Sequence, residues 1–264
     1  MIKRHLKIYR SFCSIGLKNM LAFRFDTWLS IFVATGVWSF LTVFSMYALT
    51  LRTKGVFGWS ANELIILACV YNFFIGFVSF LFARNFEEFS ELVNHGKLDE
   101  IFLKPVDSQF MVSLRKAHIT ALFRTTIGII VTAIFLVKLH IRVDLPHIVG
   151  FVILTGVGVM LMYSVLFTIN TLNIWFTRLD NINQLFYSIR TLGRYPRNAF
   201  LQAGEIVFVL VSPLVIPLST PTRMLLGRAT LYEVSELIFA TIAMLCVSRI
   251  FWKFALRSYT SASG

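Results

Sequence analysis

Charged side chains are scarce in this 264-residue sequence: only 14% are Asp, Glu, Lys or Arg, where a soluble domain carries about 25%. Hydrophobic residues reach 57%, against roughly 45–50% in soluble domains, and mean hydropathy is +0.74. That much apolar surface excludes a disordered chain. It reads as an integral membrane protein. Acidic residues are rarer still, 13 against 25 basic ones, for a net charge of +12. Such an excess can signal nucleic acid. Here the basic residues sit at the ends of apolar runs, where membrane topology accounts for them, so no nucleic-acid partner is expected.

Several chemistries lack their residues. Cys13, Cys69 and Cys246 are far apart, form no CxxC and give no disulfide framework; they read as small apolar side chains. No GxxxxGK[ST] occurs: the only Gly-Lys pair, Gly96-Lys97, is followed by Leu98, so the chain carries no P-loop of its own. The five histidines form no HExxH, and His140, His147 and Asp144 are a weak metal set. No GxSxG is present. The apolar runs are nearly free of ionisable groups, whereas ion-coupled carriers and intramembrane hydrolases bury some. No catalytic, cofactor or metal site is expected, and the chain is not expected to be an enzyme. No repeat or low-complexity linker divides it, so residues 1–264 read as one membrane domain.

The apolar runs are long. Thr27 to Leu51 and Leu64 to Ala83 are uncharged and each can cross a hydrocarbon core of about 30 Å as a helix of roughly 20 residues. The first begins late and is too long for a signal-peptide core of about 7–15 residues, so no cleavable signal is expected. Further runs predict an all-α membrane protein of six transmembrane helices at about 27–51, 64–83, 121–139, 148–172, 204–222 and 235–252. Counting Lys and Arg between them gives nineteen on one side and six on the other, with every connection obeying the same alternation. The positive-inside rule then places both termini in the cytoplasm, with residues 84–120 and 178–204 on that side as well.

Three segments carry more detail. In residues 1–26, Leu6, Tyr9, Cys13, Leu17, Met20 and Leu21 recur at helical spacing among Lys and Arg, predicting an amphipathic helix in the cytoplasmic interface. In the second connection, Phe86, Phe89 and Val93 share one helical face and Glu87, Glu88 and Glu91 another. Gly96 ends this helix as a C′ residue would. Asp99 or Glu100 opens a short turn that must stop before Pro105. An acidic helix with an exposed aromatic edge suits docking into a partner's groove; the same pattern suits a connection that only covers the bundle. In the fifth run, Pro213, Pro217 and Pro221 fall four residues apart. Each removes a helical hydrogen bond, and in lipid the freed carbonyls must be satisfied by protein or water. This predicts a broken, re-entrant or kinked helix. The neutral polar groups Tyr71, Asn72, Asn170 and Asn173 suit interhelical hydrogen bonds or a translocation path.

The order of these parts resembles an ABC-2-type transporter permease. His95-Gly-Lys-Leu-Asp-Glu-Ile-Phe-Leu-Lys-Pro-Val106 is similar to the G-x-L-D-x-x-L-x-[KR]-P segment of a bacterial ABC-2 permease group, with Phe102 where an aliphatic residue is usual. Gly193-Arg-Tyr-Pro196 is similar to that group's Tyr-Pro segment. The resemblance covers essentially the whole chain. It implies the membrane subunit of an exporter in the bacterial cytoplasmic (inner) membrane, moving a lipid, glycan, drug or peptide-like substrate. Two separate ATPase subunits would hold ATP and Mg, and a second permease, identical or a sister chain, would complete the core. By the same resemblance, Phe86, Glu87, Glu88, Phe89, Glu91 and Asp99 contact the ATPase, and Pro213, Pro217 and Pro221 form an outer gate. The alternative is a membrane scaffold, or an anchor for a cytoplasmic enzyme.

Overall fold

A computed structural model describes residues 2–22, 29, 32–52, 55–56, 58–176, 191–202 and 205–259. The expected interfacial stretch at 23–26, the start of the first span at 27–28, 30 and 31, and Arg178 and Arg190 of the fourth connection lie outside them. The described chain is almost entirely helical. Helix α1 covers Ile2–Ala22. Helix α2 opens as a π-helical turn, Phe32–Val37, and continues over Trp38–Arg52. A short antiparallel pair follows, with Gly55 opposite Ser60 and Val56 opposite Trp59. Gly58 turns between them at a φ of 77°, a left-handed backbone that costs glycine least.

Helix α3, Ala61–Val78, is the middle of the molecule. It is buried along most of its length and packs against α2 and against α8, Ala121–Lys138. Close packing with α8 rests on glycines: a Cβ at Gly76 would lie 2.6 Å from Thr125 N, and one at Gly128 would collide with Phe73 backbone. Small residues let membrane helices approach in this way. Helix α9, Leu145–Thr171, is extended by a 3-10 turn over Leu172–Ile174. It packs against both α11, Glu205–Leu225, and α12, Leu231–Ser258. Among the described residues, four stretches are long and apolar enough to cross a membrane: Ala61–Phe82, Ala121–Lys138, Leu145–Ile174 and Leu231–Ser258. Thr35–Leu51 is a shorter apolar helix.

The bundle has two unlike ends. At one, the hairpin end, Ser60 N donates to Glu63 Oε2 (2.8 Å) and Thr230 N to Glu233 Oε2 (3.0 Å). These N-terminal carboxylates satisfy orphan amides and also pair with arginines, Glu63 with Arg228 and Glu233 with Arg223 (2.7 Å). At the other end, α3 runs through a π-helical turn, Ser79–Ala83, into four short helices. These are α4 (Arg84–Glu87), α5 (Phe89–Asn94), α6 (Leu98–Phe102) and α7 (Ser108–Leu114). Helix α1 packs on this cluster end, with Tyr9 edge-on to Phe80 and Gly16 against the Ala117 carbonyl.

The fourth connection departs from the expected topology. Trp175 stacks near Phe251 and Phe254 of α12, at the cluster end. Arg197, at the start of α10 (Arg197–Gln202), pairs with Glu236 of α12 at 2.5 Å. Those α12 positions are separated by at least fifteen residues, about 22 Å along a helix. Asn198 also approaches Gly58 of the hairpin. Arg197 therefore lies at the hairpin end, and the expected placement of all of 178–204 on one side is corrected. Charge alternation cannot detect this, because an arginine paired to a carboxylate no longer reports a membrane face.

Candidate functional site

The cluster end is built by sequence-local stops. Gly96, at a φ of 66°, ends α5, and its N–H bonds the Val93 carbonyl at 3.2 Å. Asp107 caps α7 by accepting from Phe110 N at 3.0 Å. Asn85 holds the strand of chain before α8: its Nδ2 donates to Lys116 O and its Oδ1 accepts from Lys116 N, both at 2.8 Å.

Phe86, Phe89 and Val93 share a face, as the spacing predicts, but that face is turned inward. Phe86 is 2% exposed and Phe89 1%. Phe86 packs on Phe82, Tyr163 and Phe167, and Phe89 on Trp252, with ring centroids about 6 Å apart. The expected exposed aromatic edge is thus corrected to a buried one. The bundle supplies its own groove between α9 and α12, and aromatic burial there is worth more than exposure to water.

What faces outward is different. Glu87, Glu91, Glu100, Lys97 and Lys104 are exposed, and Asp99 is half-buried on α6. Leu103, in the turn after α6, is 86% exposed, and Phe102 beside it meets the edge of Tyr259. Glu88 is the charge hub of the cluster, bridging Arg84 (3.3 Å), Arg115 (2.8 Å) and Lys116 (2.6 Å). Partial burial pushes its carboxyl up, but Lys116, Arg115 and Arg84 outweigh that and hold it below the usual Glu value.

One network was not legible in advance. Arg249 of α12 donates from Nη2 to Asp107 Oδ2 (2.5 Å) and from Nη1 to Gln109 Oε1 (3.0 Å). Gln109 Nε2 donates to Tyr163 OH at 3.1 Å, Ser113 Oγ lies 3.0 Å from the same hydroxyl, and Trp252 Nε1 donates to Ser108 Oγ at 3.0 Å. Helix α7 is thereby tied to both α9 and α12. The signal was a lone arginine late in an apolar helix, which demands a partner; its partner lies 142 residues away.

Of the broken, re-entrant or kinked forms expected for the proline-bearing run, a break is not what the structure shows. Helix α11 runs through Pro213, Pro217 and Pro221 without interruption. Four-residue spacing puts the lost bonds on one stripe, and that stripe meets α9: a Cβ at Gly158 would lie 2.6 Å from the Pro217 carbonyl. This is the carbonyl that Pro221 cannot satisfy. With Arg197 at one end and Arg223 and Arg228 at the other, the α10–α11 segment begins and ends near the hairpin.

Tyr71, Asn72, Asn170 and Asn173 do not converge. Tyr71 and Asn72 lie midway along α3, while Asn170 and Asn173 sit at the cluster end of α9. All are buried, and three of their amides bond carbonyls one turn back: Asn72 to Ala68, Asn170 to Leu166 and Asn173 to Asn170. Asn72 Oδ1 also accepts from Arg124 Nη2 at 3.1 Å.

Residues 37–263 match the family model described as "ABC-2 family transporter protein". No curated protein matches the chain.

Proposed function

The chain belongs to the ABC-2 transporter family, and we propose that it is the membrane half of an ATP-driven exporter whose ATPase subunits dock on the cluster end. As a permease of that family it is membrane-embedded and works with ABC ATPase subunits in general. The finer proposals are two ATPase copies, holding ATP and Mg, and a second permease, identical or a sister chain. They continue with six crossings, both termini in the cytoplasm of a bacterial inner membrane, and a lipid, glycan, drug or peptide-like cargo. The chain itself performs no catalysis in this scheme.

One observation carries the docking assignment: the cluster presents Leu103 and a rim of Glu87, Glu91 and Glu100 outward. Its inner face is locked to α9 and α12. An exposed leucine bordered by charged residues matches the apolar core and polar rim of a protein interface. Phe86 and Phe89 then act one step behind the contact. Movement of the cluster is carried by Phe86 on Phe167, by Phe89 on Trp252 and by Asp107 on Arg249 into two long helices. The α10–α11 segment, anchored by its ends near the hairpin, serves as the gate at the far side, with Pro213, Pro217 and Pro221 keeping α11 short of a full hydrogen-bond ladder.

The test is to purify the tagged chain in mild detergent and measure vanadate-sensitive ATP hydrolysis in what accompanies it. A P-loop subunit in equal ratio, lost in Leu103→Asp with Glu91→Lys, is the expected result. A permease that holds no ATPase in any gentle extraction would support the scaffold alternative instead. Retention of full coupled hydrolysis by that double variant would move the docking surface elsewhere.

A further inference from the structure

Between α2, α3 and α8 lies a cavity of about 440 Å³, and its α2 wall includes the exposed Phe40, Phe44 and Tyr47, which face lipid if these helices cross the membrane. Helix α2 lines it with a stripe from Gly36 to Tyr47 at every third or fourth residue, and α8 with a stripe from Ile127 to Lys138. Each stripe covers twelve residues, a rise of about 16 Å from first to last, which is close to half of a hydrocarbon core of about 30 Å. The α8 stripe finishes at the hairpin end, where α8 terminates at Lys138, and the α2 stripe stops at Tyr47, five residues before that helix ends at Arg52. The groove is therefore one leaflet long.

Its lining is almost wholly apolar. The deep wall includes Asn72, but that amide already bonds the Ala68 carbonyl and Arg124, which leaves too few polar partners to hold a column of water. Ser39 Oγ is the one buried lining atom, among the described residues, without a hydrogen-bond partner. At the mouth stands Lys138, exposed and in no ion pair among the described residues.

We propose that this groove holds one acyl chain of an anionic phospholipid from the hairpin-side leaflet, with the headgroup phosphate on Lys138. A dry concavity of this length in a bilayer is filled by hydrocarbon, and an unpaired ammonium at headgroup depth selects negative charge. The site holds a resident lipid, separate from the cargo path. It rests on the chain being embedded in a membrane and not on the ATPase docking surface.

Gly36 makes the site testable, because a Cβ there meets no atom of the described residues within 4 Å, so Gly36→Trp projects an indole into the groove. Native mass spectrometry of the purified complex, with phosphatidylglycerol as added probe, should show one tightly held copy per permease. Occupancy should fall at least tenfold in Gly36→Trp, fall severalfold in Lys138→Gln and recover in Lys138→Arg. A diazirine on the acyl chain should label peptides 36–47 and 127–138 in the unmutated protein, which does not depend on any variant folding. Labelling spread evenly over all lipid-facing helices would overturn the proposal. So would unchanged lipid binding in Gly36→Trp at normal gel-filtration behaviour. Loss of the permease–permease contact in that variant would overturn it in favour of a second copy of the chain in the groove, and release of the lipid on ATP turnover would do so in favour of cargo.

Discussion

Individual side chains at the cluster end are placed by charge and by aromatic fit. Glu88 faces three cations, so its carboxylate is favoured in the folded state and its stabilising effect is present above the ordinary Glu value of 4.5. It is lost as pH falls through the depressed folded value. Thermal unfolding in detergent should therefore show wild-type stability dropping as pH is lowered below that ordinary value. Glu88→Gln should be less stable at neutral pH, by about 1–2 kcal/mol, with a shallower acid decline. Asp107 is depressed as well: burial opposes it, but the hydrogen bonds that Arg249 and the Phe110 N–H donate to its carboxylate prevail. A double-mutant cycle over Asp107→Asn and Arg249→Gln should give a coupling of about 1 kcal/mol, since both groups are partly solvated. Additive effects would show that the pair does not tie α7 to α12.

Among the elements, α11 shows how three prolines fit one helix. Their shared stripe lies against α9 at Gly158, and the Pro217 carbonyl occupies the space a side chain would need. Gly158→Leu must push that backbone away, at a cost of about 1–3 kcal/mol. Transport should fall together with the melting temperature. Gly156, with no atom of the described residues within 4 Å of its Cβ position, is the matched control: Gly156→Leu should leave both unchanged. An equal loss in the two variants would mean that the α9–α11 approach has no special role.

At the level of the whole molecule, the proposed scheme puts docking at one end and gating at the other. Single cysteines at Leu103 and at Asn198 should react with a membrane-impermeant maleimide from opposite sides of sealed vesicles. Reaction of both from the same side would contradict the placement of α10 near the hairpin. The membrane class, the helical content and the Gly96 stop were legible in the sequence, because each follows from composition or from residues within a turn or two of one another. The shared face of Phe86, Phe89 and Val93 was legible for the same reason. What that face meets was not: periodicity defines a stripe, whereas the choice between a partner and the chain's own α9 and α12 depends on contacts across many tens of residues. Arg249 finding Asp107, Arg197 finding Glu236 and Gly158 admitting Pro217 are decisions of the same kind. Unpaired charges and freed carbonyls in an apolar bundle must be satisfied, and only the packed helices determine by which group.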